Sequence, residues 1–159
     1  MEQKAGIIVY TDGAAKGNPG PGGYGIVLIS GQHRKELSEG FEFTTNNRME
    51  LLAVIVALET LKYKPSSVKV YTDSKYVSEA VEKGWVFGWE KVNFKKKKNP
   101  DLWIRFLKVY REHIVKFVWI KGHANHEENE RCDWLAVQAS NGLKLSKDKG
   151  YVYEANTTN

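Results

Sequence analysis

Val9-Tyr10-Thr11-Asp12 recurs as Val70-Tyr71-Thr72-Asp73, and in both copies an apolar, aromatic run ends in an aspartate. Buried strands of one sheet tend to neighbour each other, so the two copies can lie side by side with both carboxylates in one crevice. Two unit charges about 4 Å apart repel by roughly 4 kcal/mol at an effective dielectric near 20. A divalent cation relieves that repulsion, and hard oxygen donors favour magnesium or manganese over zinc. Taken singly, each aspartate also has a plainer reading. Asp12 can open an Asp-Gly turn with Gly13, and Asp73 can cap the helix that follows it.

Two further acids join them. Glu50 falls in the first turn of a long helical pattern and shares a stripe with Ala53, Val54, Ala57 and Leu61, which points it inward. Asn47-x-x-Glu50 also has the form of a capping box, a purely local role. Asp133 opens the stripe of Ala136, Val137 and Ser140 on the last helix, where the helix dipole alone would favour a carboxylate. Four acids at strand ends or helix starts, all facing the core, are harder to dismiss together than singly. A structural zinc site lacks ligands: His123, His126 and Cys132 lie close in sequence, but no fourth soft ligand is nearby.

The elements that must position these acids follow from periodicity. Ile7 to Tyr10 reads as a buried strand ended by Asp12-Gly13, followed by a Gly/Pro loop from Gly17 to Gly25 and a second strand, Tyr24 to Ser30. Gly20, Gly22 and Gly25 formally match G-x-G-x-x-G. A strand pattern, Ile26-Val27-Leu28-Ile29, stands where phosphate cradling needs a helix N-terminus, so no dinucleotide site is expected. A turn at Gly31 leads to a third strand, Arg34 to Thr44, and Asn47 to Lys62 is a helix closed by Pro65. Val68 to Tyr71 is a strand, and Lys75 to Lys83 a helix stopped at Gly84. After a basic aromatic stretch, Pro100 opens a helix with Trp103, Phe106, Leu107 and Tyr110 on its apolar face. Val115 to Ile120 is the final strand, and the loop Gly122 to Asn129 enters a helix from about Glu130 to Ser140. The tail after Gly142 has little periodicity, the pattern of a mobile segment. This order predicts an α/β fold, a mixed sheet covered by helices.

The chain of 159 residues, 42% hydrophobic and 27% charged, suits one globular domain with a single core and not a disordered segment. No apolar run approaches about 18 residues, and Met1 to Gly6 is too polar for a signal peptide, so a soluble, cytoplasmic protein away from membranes is expected. The lone Cys132 forbids an intrachain disulfide and fits a reducing compartment. The net charge of +5 is unevenly placed: Lys83 to Lys116 holds ten basic and three acidic residues, +7 locally, which leaves −2 for the rest. Such polarity suits an anionic polymer gripped on one lobe; the alternative is a solvated lysine-rich loop.

Thr11-Asp12-Gly13, the run Gly17 to Gly25, Thr45-Asn46-Asn47-Arg48-Met49-Glu50, Thr72-Asp73-Ser74, and Lys121-Gly122-His123-Ala124 with Asn129-Glu130-Arg131-Cys132-Asp133 together resemble type 1 ribonuclease H of the bacterial kind. The resemblance covers about residues 7–141, in order. It implies a five-stranded mixed sheet with helices on both faces. It also implies that Asp12, Glu50, Asp73 and Asp133 hold two magnesium ions, with manganese a possible substitute, to cleave the RNA strand of an RNA/DNA hybrid, leaving 5′-phosphate and 3′-hydroxyl ends. By the same resemblance His123 shuttles protons or assists product release, Glu130 influences metal occupancy, and His126 matches no catalytic position.

Substrate grip is expected between Gly84 and Asn99. Trp85 and Trp89, four apart, can share a helix face, and Lys91, Lys95, Lys96, Lys97 and Lys98 supply phosphate charge. Either tryptophan could instead pack in the core, Trp85 more readily than Trp89. The resemblance assigns this lobe to a basic protrusion whose aromatic side chains meet DNA sugars. It assigns Thr45 and Asn99 to a DNA phosphate pocket, Tyr76 to the DNA channel, and Asn18, Asn46 and Glu50 to the RNA side, where 2′-hydroxyls identify RNA; Asn47 is also expected to bind substrate. Some positions depart from the pattern. Phe43 stands where the family often has arginine, Ala14 and Ala15 replace small polar residues, and Asn125 and Glu127 replace a glycine and a proline; a separate hybrid-binding domain before the catalytic one, and processivity from it, are not expected. The expectation is a monomeric, magnesium-dependent endoribonuclease with little sequence preference and no obligate protein partner. Two alternatives stand beside it: a DNA nuclease or strand-transfer enzyme on the same carboxylate fold, and a non-catalytic hybrid-binding module. The Asn18, Asn46 and lysine-lobe motifs argue against the first, and the presence of all four acids against the second.

Overall fold

The computed structural model describes residues 6–122 and 126–152. Its strands are β1 (Ile7–Ala15), β2 (Gly20–Ser30), β3 (His33–Thr44), β4 (Ser67–Thr72) and β5 (Ile114–Trp119). Its helices are α1 (Asn46–Thr60), α2 (Lys75–Glu82), α3 (Trp85–Lys91), α4 (Pro100–Tyr110) and α5 (Glu127–Ser140). They form the five-stranded mixed sheet and helical layers expected from the sequence, in the order β3-β2-β1-β4-β5.

The repeated tetrapeptide occupies the centre of that sheet. β1 and β4 run parallel, with Val9 opposite Val70 and Tyr10 opposite Tyr71, and the two tyrosine rings stack at 4.9 Å between centroids. β2 and β3 extend the sheet antiparallel on one side, and β5 extends it parallel on the other. Strand alternation then separates two cores. Val9, Ile26, Leu28 and Val70 belong to the larger cluster with α1 and α4, while Tyr10 and Val27 pack with Cys132 and Leu135 of α5. Helix α1 is buried on nearly every side, as a helix wedged between a sheet and α4 must be.

Several boundaries differ from the sequence reading. β1 runs on through Asp12 and Gly13 to Ala15, so Asp12 pairs with Gly25 inside a ladder and opens no turn. The glycine-rich run from Gly20 is strand, not loop. Glycine serves there because α5 lies directly on β2: a Cβ on Gly25 would stand 2.8 Å from that of Leu135. Helix α1 begins one residue early, capped by Thr45, whose hydroxyl accepts from Arg48 N–H at 3.2 Å, so Asn47 and Glu50 form no capping box. Helix α5 starts at Glu127, which puts Asp133 in its second turn, beyond the first-turn acids Glu127, Glu128 and Glu130 that answer its dipole.

The tail departs most from its sequence reading. Ser146 N–H donates to Gly40 O at 2.8 Å and Ser146 O accepts from Glu42 N–H at 2.9 Å, which covers the outer edge of β3. Asp148 then reaches Arg48, a guanidinium only 1% exposed. It accepts from Arg48 Nε and Nη2 at 2.6 and 2.9 Å, and Asp101 takes the other fork at 2.9 and 2.7 Å. Residues 142–152 are thus tied to the domain and not free of it.

Candidate active site

Three of the four expected carboxylates converge at the C-terminal ends of the central parallel strands. Ligand oxygens of Asp12, Glu50 and Asp73 all lie within 4.8 Å of one another. Each is delivered by a different element. Asp12 sits inside β1, and Asp73 follows β4 directly, leaving the N-cap of α2 to Ser74, whose hydroxyl accepts from Val77 N–H at 3.2 Å. Asp73 is therefore not the cap. Glu50 arrives because Gly13 has no side chain: a Cβ there would stand 2.5 Å from Glu50 N and 2.7 Å from Met49 O. Any larger residue would push the start of α1 off β1 and carry Glu50 away.

The electrostatics are those of carboxyl groups crowded together and partly buried. Burial, then the neighbouring Asp73 and Asp133, push the Asp12 carboxyl up to about 8. Burial, with Asp12 and Asp73 alongside, holds Glu50 well above the usual carboxylate range, and only the Gly13 main chain works in the other direction. Glu50 Oε1 is buried without a hydrogen-bond partner among the described residues. Asp133 lies outside the three-residue cluster but close enough to Asp12 to help raise its carboxyl. This donor set fits a hard divalent cation: oxygen ligands only, converging, with one buried acceptor left unmet.

His123 lies outside the described residues. Gly122, just before it, is at the cluster, where a Cβ would come within 2.8 Å of Asp73 Oδ2. His126 is the exposed N-cap of α5 and makes no side-chain cap bond, and Glu130 is exposed on the same helix.

On the β1 side, Asn46 and Asn18 are tied together. Asn46 Oδ1 accepts from Ala15 N–H at 2.6 Å, and Asn46 N–H donates to Asn18 Oδ1 at 2.8 Å. With both amide oxygens so engaged, the amide N–H groups are the side-chain donors that remain. Asn47 is exposed beside them.

On the other side a cleft of about 420 Å³ is lined by Lys75, Tyr76, Glu79, Trp85, Trp89, Lys96, Lys97, Lys98 and Trp103. Lys95 is exposed nearby but does not line it. The stretch after Gly84 forms a separate helix, α3, which the sequence reading left unresolved beyond the Trp85/Trp89 spacing. The two tryptophans differ in burial, and it is Trp89, the one less readily given to core packing, that packs on the core. Trp85 is 47% exposed, whereas Trp89 packs edge-on against the fully buried Trp103 at 5.7 Å. Each carries a lysine over its ring, Lys83 on Trp85 at 5.2 Å and Lys97 on Trp89 at 4.9 Å. Tyr76 OH accepts from Asn99 Nδ2 and Trp103 Nε1 at 3.0 and 2.9 Å, and Asn99 Oδ1 accepts from Arg48 Nη1 at 3.2 Å. The Tyr76 and Asn99 positions are thus fixed by the same Arg48 that holds the tail. Phe43 packs against Tyr151 at 5.7 Å. The Arg48 assembly was not foreseen as part of the site, and its signal, an arginine at the third helical position, is indistinct without the distant Asp101 and Asp148.

Comparison with known proteins agrees with this arrangement. Residues 4–141 match the family model described as RNase H. A ribonuclease H of Trichodesmium erythraeum is 54% identical over 155 residues, covering 94% of this chain and 98% of the relative. One from Desulforamulus reducens is 58% identical over 147 residues, covering 89% and 92%. Among solved structures, LC9-RNase H1, a type 1 RNase H, superposes with a TM-score of 0.81 at 30% identity, covering 92% of this chain and 77% of its own. LC11-RNase H1 in complex with an RNA/DNA hybrid gives 0.63 at 32% identity, covering 85% and 96%. With the carboxylate cluster, the sheet order and these relatives in accord, the chain belongs to the ribonuclease H family.

Proposed function

We propose that this protein is a magnesium-dependent endoribonuclease that hydrolyses the RNA strand of RNA/DNA hybrids, acting as a cytoplasmic monomer. The observation that carries the reading is the convergence of Asp12, Glu50 and Asp73 within 4.8 Å, with a buried glutamate oxygen left unpartnered among the described residues. Asp12, Glu50 and Asp73 would hold the cation pair, joined by Asp133 close to Asp12. Two bound magnesium ions, for which manganese could substitute, supply activation of the attacking water and stabilisation of the departing 3′ oxygen, leaving 5′-phosphate and 3′-hydroxyl ends.

The chain's own residues do the rest. The remaining amide donors of Asn18 and Asn46, with Asn47 beside them, face the strand whose 2′-hydroxyls mark it as RNA. Thr45, Asn99 and Tyr76 hold the DNA backbone, while Trp85 and Trp89 meet its sugars. Lys95 to Lys98 contribute phosphate charge without reading bases, so sequence preference is low. His123 moves a proton or helps release product. The hybrid-bound LC11-RNase H1 relative supports the choice of substrate.

The test is cleavage of a labelled hybrid and of the DNA duplex of the same sequence, each with magnesium and with chelator. Magnesium-dependent cutting confined to the RNA strand is expected. Equal cutting of the DNA duplex would favour the DNA nuclease alternative, and tight hybrid binding with no cutting would favour a binding module.

A further inference from the structure

Trp119 ends β5 as a large side chain that is 45% exposed, and two directional contacts distinguish it from an incidental surface apolar residue. Its ladder partner is Thr72, the residue before Asp73, and the next rung is Ile120 N–H to Thr72 O at 2.9 Å. Beside that rung, Trp119 Nε1–H donates to the main-chain carbonyl of Asp73 at 3.0 Å. The face of the same indole carries the Lys75 ammonium, 4.9 Å from the ring centroid. Helical spacing would offer Lys75 the carboxylate of Glu79, but Lys83 takes that group at 3.3 Å. Lys75 forms no ion pair among the described residues, and it lines the cleft with Tyr76 and Lys96 to Lys98. One exposed side chain therefore holds both the peptide carrying a cluster carboxylate and an unneutralised cation at the edge of the substrate cleft.

We propose that Trp119 is a positioning residue, which fixes the Asp73 peptide for metal binding through its N–H and holds Lys75 as a phosphate contact flanking the metal site through its ring. The inference rests on the nuclease reading above. It joins the two halves of that site: the carboxylate and the cation are two residues apart in the chain, and one indole sets the spacing of both. Outer partners of metal ligands commonly matter 10- to 100-fold for affinity. A contact to the ligand's main chain is more remote, so a smaller effect, about threefold or more, is expected.

The substitutions separate the two contacts. Trp119→Phe keeps a ring face for Lys75 and removes the N–H, whereas Lys75→Gln removes only the cation. Magnesium binding to the hybrid-free protein is measured by calorimetry, KM and its salt dependence by hybrid cleavage, and folding by thermal unfolding. Trp119→Phe should weaken magnesium binding about threefold or more, with KM within about twofold of wild type. Lys75→Gln should leave magnesium binding unchanged, raise KM, and lower the salt slope by about one. Unchanged magnesium binding in a folded Trp119→Phe, or an unchanged KM and slope in Lys75→Gln, overturns the proposal. If the wild-type protein binds magnesium yet leaves the hybrid intact, the nuclease reading fails instead, and the calorimetric arm still decides the role of the indole.

Discussion

Arg48 and Glu50 are two residues apart on α1, both are drawn into the molecule, and their charges are treated in opposite ways. Arg48 is enclosed by two carboxylates, each gripping one side of the guanidinium at 2.6 to 2.9 Å, with Asn99 on a remaining N–H. Glu50 lies beside two other carboxylates and has an oxygen with no hydrogen-bond partner among the described residues. A buried ion can be retained when its hydrogen bonds are all met, and removing one partner then leaves an uncompensated charge. A carboxyl buried among acids is pushed toward its neutral form, and a cation from outside the chain is what would let it carry charge there. The first arrangement holds the fold together, and the second is kept ready for a cation.

The sharpest way to break that contrast is to make the same change in both places. Asp12→Asn should abolish hybrid cleavage while leaving the metal-free protein at least as stable, since it removes a like charge; cleavage assays and thermal unfolding check both halves. Asp148→Asn should do the reverse. It should cost about 3 kcal/mol in denaturant unfolding, the low end for breaking a buried pair because Asp101 remains, with turnover at saturating hybrid largely kept. Between these in activity lies His123→Ala, expected to lower the rate by about 10²-fold or less, as a proton-transfer group would, without shifting magnesium affinity. His126→Ala, on the exposed cap of α5, should leave the rate near wild type, and equal losses in the two would remove His123 from the scheme.

Smaller effects belong to the cleft. Replacing Lys95, Lys96, Lys97 and Lys98 with alanine should weaken hybrid binding and flatten its salt dependence by about one unit for each lost phosphate contact. An unchanged slope would make the run a solvated loop. A pH trend tests the carboxylate cluster without any ligand. The Asp12 carboxyl is raised from 3.8 to about 8, so between those values the folded state binds more protons than the unfolded chain. This contribution is fully present below pH 4 and is lost as pH rises toward 8. Stability of the metal-free protein should decline across that window, and the decline should be shallower in Asp12→Asn.

Much of the cation-ready half of this contrast is legible from the chain alone. The Val-Tyr-Thr-Asp repeat gives adjacent parallel strands, and the stripe of Glu50, Ala53, Val54 and Ala57 aims Glu50 inward. What the pattern hides is tertiary. Gly20 to Gly25 looks like a loop because glycine usually punctuates chains, yet here it lets α5 lie on a strand. Trp85 and Trp89 are alike in sequence, and only the placement of Trp103 beside one of them decides which packs partly on the core. Nothing near Arg48 announces that its partners are 53 and 100 residues away, so the tail reads as unstructured until Asp148 is seen to close the network.

The most direct measurement is a calorimetric titration of magnesium into the hybrid-free protein, repeated on Asp12→Asn and on Asp148→Asn under conditions where both are folded. If the carboxylate cluster is held open for the cation and the Arg48 network is structural, binding is lost in Asp12→Asn and retained in Asp148→Asn. Magnesium binding that survives Asp12→Asn unchanged would contradict the account.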